Sequence, residues 1–139
     1  MKVSTRGRYA LKMLTDLALN QQDGYLNLNE IANRQHISKK YLEQIVALLN
    51  RQHMLKASRG PQGGYRLAKA PYEYNIGEIL RLTEGSVDLA PWTSIPQEDL
   101  TNYEFWDGFN KAAARYVDSM TLQDLLEAER IRIAGNSII

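Results

Sequence analysis

The 139-residue chain contains no cysteine. Disulfides, thiolate zinc sites, a cysteine nucleophile and any iron–sulfur cluster held by the chain's own thiolates are thereby excluded. Histidine is nearly absent as well: His36 and His53 are the only two, and they are not spaced as a metal pair. No metal and no cofactor are expected. No uninterrupted apolar run approaches the roughly 20 residues that cross a bilayer. The opening Met1–Arg8 is followed by a segment broken by Lys12 and Asp16, not by the apolar stretch of a secretory signal. A cytoplasmic protein without a membrane segment is expected. A phosphate loop of the Walker or dinucleotide type is also missing, because Gly60-Pro61-Gln62-Gly63-Gly64 precedes a strand pattern where those loops precede a helix. The acidic residues Glu98, Asp99, Glu104 and Asp107 read as solvated charge. No catalysis is expected.

What is present is a residue supply for one modest core with an appended element: 44% hydrophobic and 24% charged. The net charge of +1 hides a division. Residues 1–69 carry 12 Lys and Arg against 4 Asp and Glu, whereas residues 70–139 carry 5 against 12. A basic first half of this kind suits a polyanionic partner and the acidic second half does not; the alternative is two solvated faces whose signs segregated by chance.

Periodicity sets the elements. Tyr9, Ala10, Met13, Leu14, Leu17 and Ala18 make the stripe of a first helix over residues 5–19. Asn27 followed by Glu30 opens a second, ending near Gln35. Ser38 caps a third, whose Leu42, Ile45, Val46 and Leu49 form a buried stripe and which runs to about Gln52. Two helices joined by so short a turn are a helix-turn-helix. Alternation at Leu55–Ser58 and Tyr65–Leu67 around the glycine-rich turn predicts a β-hairpin, the wing. Ile76, Ile79, Leu80 and Thr83 share a face of a fourth helix stopped by Gly85. Residues 86–101 have no period. Trp106, Phe109, Ala113, Tyr116 and Met120, widened by Ala112 and Val117, give a long helix over residues 102–119. Thr121 caps a last helix expected to end before Gly135. The fold class is therefore mainly α with a small β-hairpin. It is a winged helix-turn-helix domain (residues 1–84), a variable loop (85–101), and a dimerisation helix with a C-terminal helix (102–139).

With the apolar stripe of the third helix turned inward, Lys39, Lys40, Glu43, Gln44, Ala47 and Arg51 remain outside. A helix N-terminus in the major groove brings Ser38, Lys40, Tyr41, Glu43 and Gln44 to bases and phosphates. Gln pairs adenine and Glu accepts from cytosine N4, while Lys39 and Arg51 suit phosphates. Tyr41 has a second reading, packing into the core. Arg59 beside Gly60 suits the negative potential of a narrow minor groove, where glycine lets the backbone come close; the bland alternative is a plain tight turn. Arg6, with Arg8 and Lys2, suits phosphates or simple surface charge. The seam Trp106, Phe109, Ala113, Tyr116, Val117 and Met120 has two readings, a face packed within its own domain or a face paired with a second copy of the chain, and the second is favoured. A two-fold dimer of this kind matches a palindromic operator in double-stranded DNA. Two rivals stand beside this reading: a winged-helix module that binds protein, and a regulator whose small-molecule effector sits among Trp92, Ile95, Tyr103 and Trp106.

Three stretches carry a family resemblance: Val3-Ser4-Thr5-Arg6-Gly7-Arg8-Tyr9-Ala10, Ile37-Ser38-Lys39-Lys40-Tyr41-Leu42-Glu43-Gln44, and Arg59-Gly60-Pro61-Gln62-Gly63-Gly64-Tyr65-Arg66-Leu67. Ile76-Gly77-Glu78-Ile79, Trp106 and Thr121–Leu125 extend them over nearly the whole chain. The sequence resembles the Rrf-type bacterial transcription regulators. That resemblance implies a homodimeric winged-helix repressor, with DNA contacts from Ser38, Lys40, Tyr41, Glu43 and Gln44 and with Arg59 in the minor groove. Cluster-binding members carry three cysteines between the fourth helix and the dimerisation helix, where this chain has residues 86–96 without a thiolate. Arg8 and Lys12 stand where some members place a carboxylate or His ligand. The pattern is closer to the cysteine-free, CymR-type members, whose activity is set by a partner protein or another signal.

Overall fold

Four short polar residues decide where the first four α-helices begin. Ser4 Oγ accepts the Gly7 N–H at the start of α1 (Thr5–Leu19), and Asn27 Oδ1 accepts the Glu30 N–H at the start of α2 (Leu28–Gln35). Ser38 Oγ accepts from Tyr41 at the start of α3 (Lys39–Asn50), and Asn75 Oδ1 from Glu78 at the start of α4 (Ile76–Glu84). Each cap stabilises its helix by about 1 kcal/mol. A computed structural model describes residues 3–89 and 101–138. The variable loop beyond Leu89, with Trp92, Ile95, Glu98 and Asp99, lies outside the described residues.

Helix ends are settled by backbone twist. His36 (φ 56°) closes α2, and His53 (φ 53°) follows α3 in the same left-handed conformation. They let Ile37 N–H reach Ala32 O at 3.1 Å and Met54 N–H reach Leu49 O at 3.2 Å. Both histidines thus serve turns. The stripes meet as expected: Ala10, Met13, Leu14 and Leu17 of α1 pack in one core with Leu42, Ile45 and Leu49 of α3 and Ile79 of α4. Periodicity gives no sign that Asp16 joins them. It is 1% exposed and stays ionically satisfied because Arg34 grips it with Nε and Nη2 (3.0 and 2.7 Å) and Gln35 donates at 2.8 Å. That clamp ties α1 to α2.

The wing is β1 (Leu55–Ser58) antiparallel to β2 (Gly64–Leu67), in register Leu55 to Leu67 and Lys56 to Arg66. Leu26 and Tyr65 exchange backbone bonds of 2.9 and 2.8 Å, which tether the hairpin to the chain ahead of α2. Tyr74 fixes its root. The buried hydroxyl donates to Met54 O at 2.5 Å and accepts the Ala68 N–H at 3.0 Å. Tyr74→Phe removes both of these bonds but leaves Ala68 N–H on Met54 O at 3.3 Å, and is expected to cost about 1 kcal/mol in urea unfolding. Burial pushes the Tyr74 hydroxyl above its ordinary value of 10.0, against the opposing bonds from Ala68 and Lys69. Since the folded-state value is the higher one, this stabilisation is complete below pH 10 and is lost as pH rises through the raised value. The gap between wild type and Tyr74→Phe should be flat at neutral pH and narrow in strong alkali.

Two further helices complete the chain, α5 (Tyr103–Asp118) and α6 (Leu122–Ile138). Arg81 of α4 holds Asp118 with two bonds (2.6 and 2.9 Å), and Asn75 Nδ2 donates to Asp118 O at 2.8 Å. The Arg81 guanidinium keeps the Asp118 carboxyl below the usual carboxylate range. Ile76 N–H bonds Met120 O and Leu122 N–H bonds Tyr74 O, both at 3.0 Å, so the α5–α6 turn is stitched to the start of α4. Leu122 and Leu126 then enter the core. The expectation that the last helix ends before Gly135 is corrected, since α6 runs through Gly135 to Ile138. A helical glycine costs only about 1 kcal/mol against alanine and is no stop by itself.

Candidate nucleic-acid interface

One face of α3 is locked into the core, so the other must face outward. Lys39, Lys40, Glu43, Gln44 and Ala47 are exposed there, with Ser38 at the N-cap and Arg51 at the C-cap. Ser38 uses its oxygen to accept the Tyr41 N–H, which leaves its hydroxyl proton to donate outward. Tyr41 is half-buried, its ring edge-on to Tyr9 at 5.3 Å between centroids. The packing reading of Tyr41 therefore holds in part, with the remaining exposure beside Lys40. This contact also ties the start of α3 to the first turns of α1.

Those first turns carry Arg6 and Arg8, both exposed. Glu84, at the end of α4, anchors them: it accepts the Ser4 N–H on both oxygens at 3.2 Å and the Ser4 hydroxyl at 2.7 Å. A Cβ on Gly7 would push the Glu84 carboxylate aside, so glycine there leaves room for the Ser4–Glu84 contact. Sequence reasoning missed Glu84. The available signal was a glycine inside a helix, a residue that destabilises the helix unless a neighbour needs the space.

At the wing tip Arg59 and Gly60 are exposed, Gly60 has φ 98°, and the turn closes with Gly63 N–H on Gly60 O at 2.9 Å. The electrostatic arrangement is one-sided. Among the described residues the ion pairs are Arg34 with Asp16 and Glu30, Arg81 with Asp118, Lys111 with Asp107, and Arg132 with Glu129. None involves Lys39, Lys40, Arg51, Arg59, Arg6 or Arg8. A set of outward cations without carboxylate partners is suited to phosphate.

On α5 the only buried residue is Asn110. Trp106 (36% exposed), Phe109 (42%) and Tyr116 (66%) lie on the surface, joined by Phe105 (62%), which the sequence pattern omitted. Phe105, Trp106 and Phe109 contact one another with centroids 4.8–6.0 Å apart. Ala113 is half-buried; Val117 and Met120 are half-buried and rest against the chain's own core. Of the effector pocket suggested by the sequence, Tyr103 and Trp106 are exposed, and Trp92 and Ile95 lie outside the described residues. A groove of about 540 Å³ opens elsewhere, between α1 and α6, with Leu11, Leu19, Leu125 and Ala128 along it and Lys12 and Arg132 at its polar side. Of the acidic residues, Asp107 pairs with Lys111, and no three His, Asp or Glu side chains converge among the described residues.

A capped helix-turn-helix followed by a two-stranded wing is the architecture of the winged-helix transcription regulators, a class that acts by binding DNA. The chain belongs to the Rrf2 family, described as iron-dependent transcriptional regulators, whose family model matches residues 3–128. The HTH-type transcriptional regulator CymR of Bacillus subtilis is 36% identical over 125 residues, covering 90% of this chain and 89% of CymR. IscR of Cereibacter sphaeroides is 34% identical over 139 residues, covering 93% and 89%. Among solved structures, CymR, the global cysteine regulator of B. subtilis, matches with a TM-score of 0.83 at 34% identity over 92% of this chain and 98% of that one. IscR of T. potens matches with 0.75 at 35% identity over 93% and 88%. The 139 residues supply no thiolate for an iron–sulfur cluster, and Arg8 and Lys12 put cations on the first helix.

Proposed function

We propose that this regulator is a homodimeric, sequence-specific repressor that reads a palindromic operator and senses its signal without an iron–sulfur cluster. The observation that carries the reading is the α3 face itself. Five outward residues, Lys39, Lys40, Glu43, Gln44 and Ala47, project from a helix whose opposite side is fixed in the core. Such a face is pre-organised, and little ordering entropy opposes its docking in a major groove. Lys40, Glu43 and Gln44 meet base edges; Ser38, Tyr41, Lys39, Arg51 and Arg6 meet phosphates; Arg59 enters the minor groove over Gly60. Residues 1–84 form the DNA-binding unit, 85–101 the variable loop, and 102–139 the dimerisation unit. Trp106, Phe109, Ala113, Tyr116, Val117 and Met120 provide the seam between copies. Control then comes from a partner protein or a small effector, acting in the cytoplasm.

Selection from random duplex DNA with the purified protein tests the reading. Recovery of a two-fold-related motif supports it; a pool with no motif, weakened uniformly by salt, sinks it. On the recovered site, Arg59→Ala is expected to lower affinity tenfold to a hundredfold, the loss of about 1–3 kcal/mol typical of one specific contact. Discrimination at the position beneath the wing should relax with it.

A further inference from the structure

The outer face of the wing holds a charge arrangement that base recognition does not use. Lys56 of β1 and Arg66 of β2 are register partners. Leu55 and Leu67, their neighbours along each strand, are buried, so by strand alternation both cations project from the opposite, exposed face. Like charges directly opposite one another on adjacent strands are destabilising. Lys69 adds a third cation where the strand leaves the sheet. The three surround a recess of about 250 Å³ that also takes in Gln21.

Aromatic rings hold two of these groups in place. The Arg66 guanidinium lies over the Tyr25 ring at 5.6 Å from its centroid, and Lys69 Nζ over the Tyr74 ring at 4.9 Å. Tyr74 is itself pinned by Met54 and Ala68. Among the described residues no carboxylate pairs with any of the three, and Glu73, close by in sequence, is turned back onto the Ala70 N–H at 2.8 Å.

We propose that Lys56, Arg66 and Lys69 form a phosphate-binding site at the root of the wing, separate from the α3 face and the wing tip. A phosphate between the strands converts a repulsive pair into two charge-assisted contacts, and the guanidinium fork matches phosphate oxygens bidentately. The recess lies below the range of roughly 300–1,000 Å³ usual for whole small-molecule ligands, so it takes a phosphate or pyrophosphate group and not a nucleoside. Lys56 stands three residues from Arg59, roughly 10 Å along the strand, so a backbone phosphate flanking the groove entered by Arg59 is one source. A free oligophosphate is the other. Only the duplex source rests on the operator reading.

The test uses Lys56→Gln/Arg66→Gln, two exposed positions whose neutralisation should leave the melting temperature unchanged or raised. In one arm, inorganic pyrophosphate is titrated calorimetrically into the protein without DNA at fixed ionic strength. Saturable binding that the double variant loses assigns the site to a free oligophosphate. In the other, affinity for the selected duplex is followed against salt. A fall of about two in the slope of log affinity against log salt, alike for operator and unrelated sequence, assigns it to the DNA backbone. Pyrophosphate binding and slope both unchanged by the substitutions overturn the site while leaving the operator reading intact. Pyrophosphate binding by a protein that retains no duplex preserves the site and removes the operator reading.

Discussion

Trp106→Asp combined with Phe109→Asp is expected to turn a dimer into a folded monomer and to weaken operator binding by about a thousandfold. Both rings are surface groups of the single chain, so the melting temperature of the protomer should change little. In a two-fold interface the same positions become central, and two carboxylates there would lose their hydration without gaining a partner, a penalty of several kcal/mol per ion. The effect on DNA follows from linkage of the two half-sites. When one recognition helix is docked, the second binds at an effective concentration set by the rigid connection, which is worth roughly 10²–10⁴ in affinity. Analytical ultracentrifugation and a binding titration on the selected operator check both parts. A variant that still sediments as the wild-type dimer would exclude this face as the seam.

Gly64→Ala is expected to cost roughly 4 kcal/mol and to detach the wing. At φ +153° the residue occupies a region that L side chains rarely adopt, and a methyl group there would overlap the carbonyl of Leu26 and the amide of Asn27. Both obstacles are backbone, so neither can swing away. The Leu26–Tyr65 bridge is the tether that would have to open. Chemical denaturation gives the loss of stability, and amide exchange localises it: protection should vanish at Leu26 and Tyr65 before it weakens in α1 and α3. Gly60→Ala is the matched control, because it shares a positive φ but has open space around the added methyl.

The chain's repeating features were readable from the sequence, and its long-range contacts were not. Leu42, Ile45, Val46 and Leu49 at helical spacing place the inner face of α3, and Ser38 fixes where it starts; both signals are local. Asp16 shows what locality misses, since an acid inside an apolar stripe looks like a break until Arg34 and Gln35 arrive from another helix. Glu84 is a similar case, joined to Ser4 across 80 residues. Gly135 misleads in the opposite direction, because an exposed helix end tolerates a glycine that the pattern reads as a terminus. For the candidate interface, residue identity was enough to nominate Lys40, Gln44 and Arg59. That no acid pairs with Lys40 or Arg59 among the described residues depends on ion pairs formed elsewhere in the fold, which no local pattern contains.

The three-residue stretch 74–76 joins units that have to move together. Its tyrosine side chain grips the root of the wing, while its backbone carries the turn between α5 and α6. In the proposed dimer this makes the stretch a caliper: the wing and the seam are clamped to one short rod, so the gap between the two reading heads is a constant of the molecule. Adding a single base pair between half-sites turns one of them by about 35° around the duplex axis, and a caliper without a joint cannot follow it.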